Sequence, residues 1–179
     1  VHSNLNRRLL GLCDRMDKAG MDAALLLHHR DVLYYAGTAR PASLLVVSAG
    51  TAPDAARREA ILFVRRGLEA VRDEATIQDV VPMRGFSSIT QAAVALGLDT
   101  GVLGVELDTT TADLYRRVDE AFAGWDVVDV APIVLDQRMV KDEGEIAATR
   151  RAATVADAGH RALARAAAAG MSELELVAE

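Results

Sequence analysis

Leu135-Asp136-Gln137-Arg138-Met139-Val140-Lys141-Asp142-Glu143-Gly144-Glu145-Ile146-Ala147-Ala148-Thr149-Arg150-Arg151 divides the chain into two unlike parts. Upstream, short apolar runs alternate with amphipathic segments. Downstream lies one alanine-rich segment. Pro132, just before the stretch, cannot donate to a strand ladder and helps to end the β-rich run that precedes it. Asp142 is a candidate N-cap with Glu145 three residues on as its capping-box partner. Asp142, Glu143 and Glu145 together put negative charge at the positive end of a helix dipole. From the residues alone, the stretch is either a hinge between a small domain and the start of another, or an ordinary connector helix with a solvated charged face.

Working back from there, Leu5, Leu9, Leu12 and Met16 step at helical spacing, and Gly20 suits a left-handed stop, so residues 4–19 are a predicted helix. Cys13 lies beside that row and reads as a buried, inert thiol. Residues 21–27, 43–48, 60–64, 76–81, 102–106 and 125–130 are predicted strands, with Pro82 stopping the fourth. Between them, helices are predicted before Gly37, over 67–73, from a Ser88/Gln91 capping box to Gly97, and over 109–123, with residues 50–54 as turn chemistry. Strands separated by helices imply an α/β layer fold. The short gap between the second and third strands implies an antiparallel hairpin, and so a mixed sheet.

Net charge is −6, which argues against nucleic acid or an anionic membrane as the main partner. A single cysteine excludes an internal disulfide framework and fits a reducing cytoplasm. No apolar run approaches the ~20 residues of a membrane span.

Several segments resemble the creatinase/prolidase/aminopeptidase P family. Arg138-Met-Val-Lys141, Glu145-Ile146 and Arg150-Arg-Ala152 look like its junction pattern L-R-x-I-K-x-x-x-E-I-x-x-I-R-x-A, although Thr149 stands where an apolar residue is common. Asp31-Val-Leu-Tyr-Tyr-Ala-Gly37 resembles N-x-x-Y-L-T-G, with Asp31 where many relatives carry Asn. Leu103-Gly-Val-Glu106 resembles L-G-V-E, and Gly170-Met-Ser-Glu-Leu-Glu175 resembles G-x-T-E-x-E. The resemblance implies a ribonuclease H-like mixed sheet flanked by helices over residues 1–134. It implies a linker at 135–142 and, from 143–179, the first helices of a metallopeptidase domain. Glu143 opens a helix about 40 Å long at 1.5 Å per residue, with His160 half-buried on its inward row. Ser172 and Glu175 then open another. A chain ending so soon after a fresh N-cap is expected to be a piece of a longer one.

No zinc-ligand spacing, G-x-G-x-x-G turn, P-loop or G-x-S-x-G elbow is present. The expectation is therefore no catalytic residue, no metal and no cofactor in these residues. The resemblance implies two divalent ions (Mn, Co or Zn) in a following catalytic domain, a homodimer, and a proline-containing peptide as the parent's substrate. A creatinase-like amidinohydrolase and a freestanding interaction module are the rival readings. The candidate binding residues are His29, Asp31, Tyr34, Tyr35 and Arg40, in a polar, aromatic stretch directly after a buried strand. The resemblance places them at the edge of a partner's substrate channel. The plain alternative is that the rings pack, Asp31 caps a helix and Arg40 is solvated.

Overall fold

The computed structural model describes residues 2–48 and 59–178, with side chains from residue 7 onward. It separates into two compact units, Val1–Gln137 and Arg138–Glu179.

The first unit is built on a six-stranded sheet. Its strands are β1 (Ala23–Leu26), β2 (Ala42–Val47), β3 (Glu59–Val64), β4 (Asp79–Pro82), β5 (Val102–Val105) and β6 (Asp126–Asp129), in the order β4-β3-β2-β1-β5-β6. β2 runs antiparallel to both β1 and β3, while β1–β5, β3–β4 and β5–β6 are parallel. The sheet is mixed, and the β2–β3 pair is antiparallel as its spacing predicts.

Alternation along the strands splits the core between two faces. Ala24, Leu26, Leu44, Val46, Leu62 and Val64 face one side. Against them pack helices α1 (His2–Ala19), α2 (His29–Ala36), α3 (Leu68–Glu74) and α6 (Ala131–Met139), contributing Leu12, Met16, Tyr35, Val71 and Val134. The opposite face carries Leu25, Leu45, Val47, Phe63 and Val105. Ile89 and Ala93 of α4 (Ser87–Ala95) cover it, together with Val118 of α5 (Ala112–Ala121) and Phe122 just beyond. Gly104 of β5 has no room for a side chain: a Cβ there would lie 2.8 Å from Val130 Cβ and 3.1 Å from Met21 Sδ.

Several local expectations are corrected. The Ser88/Gln91 capping box does not form: α4 begins at Ser87 after Phe86, with no side-chain cap, and Ser88 Oγ accepts from the Arg84 amide at 3.2 Å instead. Pro82 does not stop β4 from outside but is its last residue, tolerated because β4 is an edge strand. The residues after β6 form helix α6, where the β-rich run was expected to end at Pro132. Asp129 Oδ1 accepts from the Ala131 amide at 2.9 Å and from Leu107 N at 3.1 Å, and Pro132 sits in the first turn, where its missing N–H costs no hydrogen bond. Residues 50–54 lie outside the described residues.

In the second unit, α7 (Glu143–Ala166) opens with the expected capping box of Asp142 and Glu145, and α8 (Glu173–Val177) with that of Ser172 and Glu175. No residue of α7 is buried. His160, expected half-buried, is exposed, with Nδ1 2.9 Å from the Ala156 carbonyl oxygen. Among the described residues no helix is long and apolar enough to cross a membrane.

Candidate functional site

β1 and β5 are parallel neighbours, so their carboxyl ends lie side by side. Leu27 and His28 follow one, and Glu106 follows the other. Glu106 turns inward at 1% exposure, and its Oε2 accepts from the amides of Leu27 at 2.6 Å and His28 at 3.3 Å. His28 is the N-cap of α2 but supplies no side-chain cap. Its Nδ1 instead lies 3.3 Å from Oδ2 of Asp31, which is itself buried in the first turn. The Asp31 carboxyl faces Glu106 in turn. Burial pushes the Glu106 carboxyl up to about 8; the two amides oppose that rise and the Asp31 charge adds to it.

Beside this cluster opens a cleft of about 550 Å³ at the carboxyl ends of β1, β3 and β4. Phe63, Phe86 and Leu114 give it apolar walls, while His28, His29 and Arg65 supply its basic groups. The carboxyl edge of parallel strands is where ligands of open α/β sheets commonly bind.

The five residues singled out from sequence do not converge on one point. His29 is exposed, on the cleft, with its ring 4.6 Å from that of His28. Asp31 lies behind His28, inside the first turn rather than at the N-cap. Tyr35 is fully buried, and its hydroxyl donates to Gln137 Oε1 at 3.2 Å. Tyr34 donates to the Gln137 carbonyl at 3.4 Å under the Arg8 guanidinium, which stands 4.3 Å from the ring centre. Arg40 is exposed and donates through Nε to Glu74 Oε1 at 2.7 Å, while Thr38 Oγ1 donates to Glu74 Oε2 at 2.9 Å. Those two donors, Arg40 first, hold the Glu74 carboxyl below its usual range.

Glu106, His28 and Glu74 were not among the sequence candidates. Glu106 had a signal: a carboxylate closing an apolar strand in the Leu103-Gly-Val-Glu106 segment.

Among the described residues no group of three or more His, Cys, Asp or Glu side chains is placed to hold a metal ion. In the cluster of Glu106, Asp31 and His28, Glu106 Oε2 is already spent on two amides and Asp31 Oδ2 faces the His28 ring. These residues do not fit a divalent ion, and the resemblance implies such ions only for a following catalytic domain.

The sequence profile of the Creatinase/Prolidase N-terminal domain matches residues 8–140. Creatinase from Bacillus sp. (strain B-0618) is 28% identical over 177 residues, covering 96% of this chain and 42% of that protein. The Xaa-Pro dipeptidase from Bacillus anthracis superposes with a TM-score of 0.78 at 24% identity, over 97% of this chain and 46% of that one. The N-terminal domain of the cytoplasmic peptidase PepQ from Mycobacterium tuberculosis H37Rv superposes with a TM-score of 0.61 at 23% identity, over 73% of this chain and 98% of that one. The chain thus spans less than half the length of the first two relatives. A mixed sheet with helices on both faces and a profile match over most of the sequence lead to one assignment: the chain belongs to the creatinase/prolidase N-terminal domain family.

Proposed function

We propose that residues 1–134 serve as the non-catalytic N-terminal domain of a cytoplasmic, metal-dependent Xaa-Pro peptidase, joined through 135–142 to a catalytic domain whose first helices are 143–179. The observation that carries this reading is the family match over residues 8–140, with a fold shared with prolidase-type chains about twice as long. Its roles are dimer formation and partial closure of the active-site mouth. In the dimer, residues 28–41 border the partner's substrate channel. His29 and Arg40 are exposed on that segment and suited to meet substrate. Tyr34 and Tyr35 anchor it to Gln137, and Asp31 acts through His28 as a positioning residue.

A second reading, an amidinohydrolase of the creatinase type, is favoured by the 28% identity to creatinase. Turnover of Gly-Pro against turnover of creatine by the full-length protein separates the two. The 179-residue chain alone is expected to retain no stoichiometric metal after dialysis and to cleave no Xaa-Pro peptide; one tightly held ion per chain with turnover refutes the non-catalytic assignment. In the full-length enzyme, Asp31→Ala is expected to lower kcat/KM or loosen the dimer while bound metal stays constant. Unchanged kinetics together with an unchanged dimer would remove the channel-edge role.

A further inference from the structure

The cleft at the carboxyl edge of the sheet has an apolar interior, one buried hydroxyl and a basic rim. β1 and β3 flank β2, so their ends lie about 10 Å apart, two strand spacings. β2 runs antiparallel to both, and its first residues enter between those ends. Leu27, Ser43, Phe63 and Met83 line the cleft from the sheet side. Phe86 at the N-cap of α4 and Leu114 in the first turn of α5 close it from above, and both are half-buried. Ser43 is 9% exposed. Among the described residues its hydroxyl donates only to the Met83 sulfur, at 3.9 Å, and a thioether is a weak acceptor. That proton is available to a better oxygen. Arg65 follows β3 directly and His29 opens α2. Both are exposed on the rim, and among the described residues no carboxylate pairs with either. The His28 ring differs, because its Nδ1 faces Asp31. No described residue lining the cleft is acidic.

We propose that this cleft binds a small amphipathic monocarboxylate whose apolar body is a single ring or a branched chain. The body packs between Phe86 and Leu114 against Phe63. The carboxylate takes the Arg65 guanidinium and the Ser43 hydroxyl, with His29 adding a basic group on the other side. Strand register brings the first two within reach of one ligand group. Val64 pairs with Ala42 and Phe63 with Ser43, so Arg65 and Ser43 are diagonal neighbours on one face, roughly 7–8 Å apart and within the span of an arginine side chain. One permanent cation and one hydroxyl suit a monoanion, whereas a phosphate would call for more donors than the rim offers. The cleft volume, about 550 Å³, lies within the range of small-molecule sites. Glu106 stands behind the Leu27 and His28 amides, and burial raises it to about 8, so at neutral pH it does not set a full negative charge against the ligand. The site is built within the first unit of one chain and stands apart from the peptidase reading. His29 aside, it shares no residue with the proposed channel edge.

The test is an NMR titration of the isotope-labelled 179-residue chain with hydrocinnamate and with isocaproate, each compared with its uncharged amide. The backbone amides of Leu27, Phe63, Phe86 and Leu114 are expected to shift together and to saturate, with a Kd on the order of 1 mM. The uncharged analogues should bind about threefold more weakly or worse, and that margin should shrink as salt is added. Arg65→Gln changes an exposed residue, leaves the fold intact and should remove the margin. Arg66→Gln, the neighbouring exposed arginine outside the cleft, should leave it in place. Ser43→Ala should weaken the acids by about threefold or more, because it removes the buried donor. No saturable shift up to about 10 mM, amides that bind as tightly as the acids, equal effects of Arg65→Gln and Arg66→Gln, or unchanged affinity in Ser43→Ala would each overturn the proposal.

Discussion

Glu106→Gln is expected to stabilise this domain at alkaline pH and to leave it unchanged in acid. An unpartnered glutamate side chain titrates near 4.5, and in the folded chain Glu106 is raised to about 8 by burial. Between those values the folded state holds a proton that the unfolded state has released. Stability from this group is therefore fully present below about 4.5, falls as pH rises, and is lost above about 8. A gap of roughly three and a half pH units, at about 1.36 kcal/mol for each, is on the order of 4–5 kcal/mol. Total stabilities are typically ~5–15 kcal/mol, so the loss is a large fraction of what holds the domain together.

Gln reproduces the uncharged acid: its carbonyl oxygen accepts from the Leu27 and His28 amides, and it brings no charge into the buried site. The two proteins should agree to within about 1 kcal/mol near pH 5, the size of one hydrogen bond of altered geometry. Above about pH 8.5 the variant should be the more stable by several kcal/mol, a melting-point gain of roughly 10 °C for a chain this size. Urea unfolding at closely spaced pH values measures this directly, and the difference between the two proteins cancels groups whose titration they share. A difference that stays constant with pH, or a wild-type curve that is flat between about pH 5 and 8.5, refutes the reasoning.

Gly104→Ala should destabilise by about 1–3 kcal/mol with an unchanged urea m-value, because the new methyl would sit 2.8 Å from Val130 Cβ in the core; wild-type stability would show that the Val130 segment yields freely. Tyr35→Phe should cost about 1–2 kcal/mol, since it removes the hydroxyl that donates to Gln137 Oε1 and leaves that oxygen short of a donor; a loss below about 0.3 kcal/mol would mean that water replaces the hydroxyl. Amide exchange along α7 should be far faster than in β1 and β2, because none of its residues is buried; protection equal to those strands in a proven monomer would contradict this.

What was legible in the sequence followed from local chemistry. Runs such as Leu44-Leu45-Val46-Val47 are too short and too apolar for anything but buried strands, and all six predicted strands form. The Asp142 and Ser172 capping boxes needed only residues three apart. The Ser88 box failed although its spacing is correct, because the helix starts two residues earlier, with Phe86 at the N-cap, and Ser88 turns to the Arg84 amide instead. α6 was hidden by Pro132, which serves equally to end a strand and to open a helix. The deciding group is the Asp129 side chain, reaching two residues ahead to the Ala131 amide.

The candidate site was harder to read for a reason of topology. Glu106 holds Leu27 across 79 positions of sequence, and that contact exists only because β1 takes β5 as its parallel neighbour while β2 occupies its other edge. Read locally, Glu106 is a charge closing a strand and Asp31 is an acid in a helix's first turn, where it favours the dipole whether or not anything lies opposite. Only the strand order brings the Glu106 carboxyl to the Leu27 and His28 amides, and its burial there is what pushes that carboxyl above the ordinary range. The same order fixes the consequence. Because Glu106 sits at the carboxyl end of the sheet and accepts from the amides of Leu27 and His28, two residues that line the cleft, a substitution there acts at the edge where open α/β sheets place their ligands.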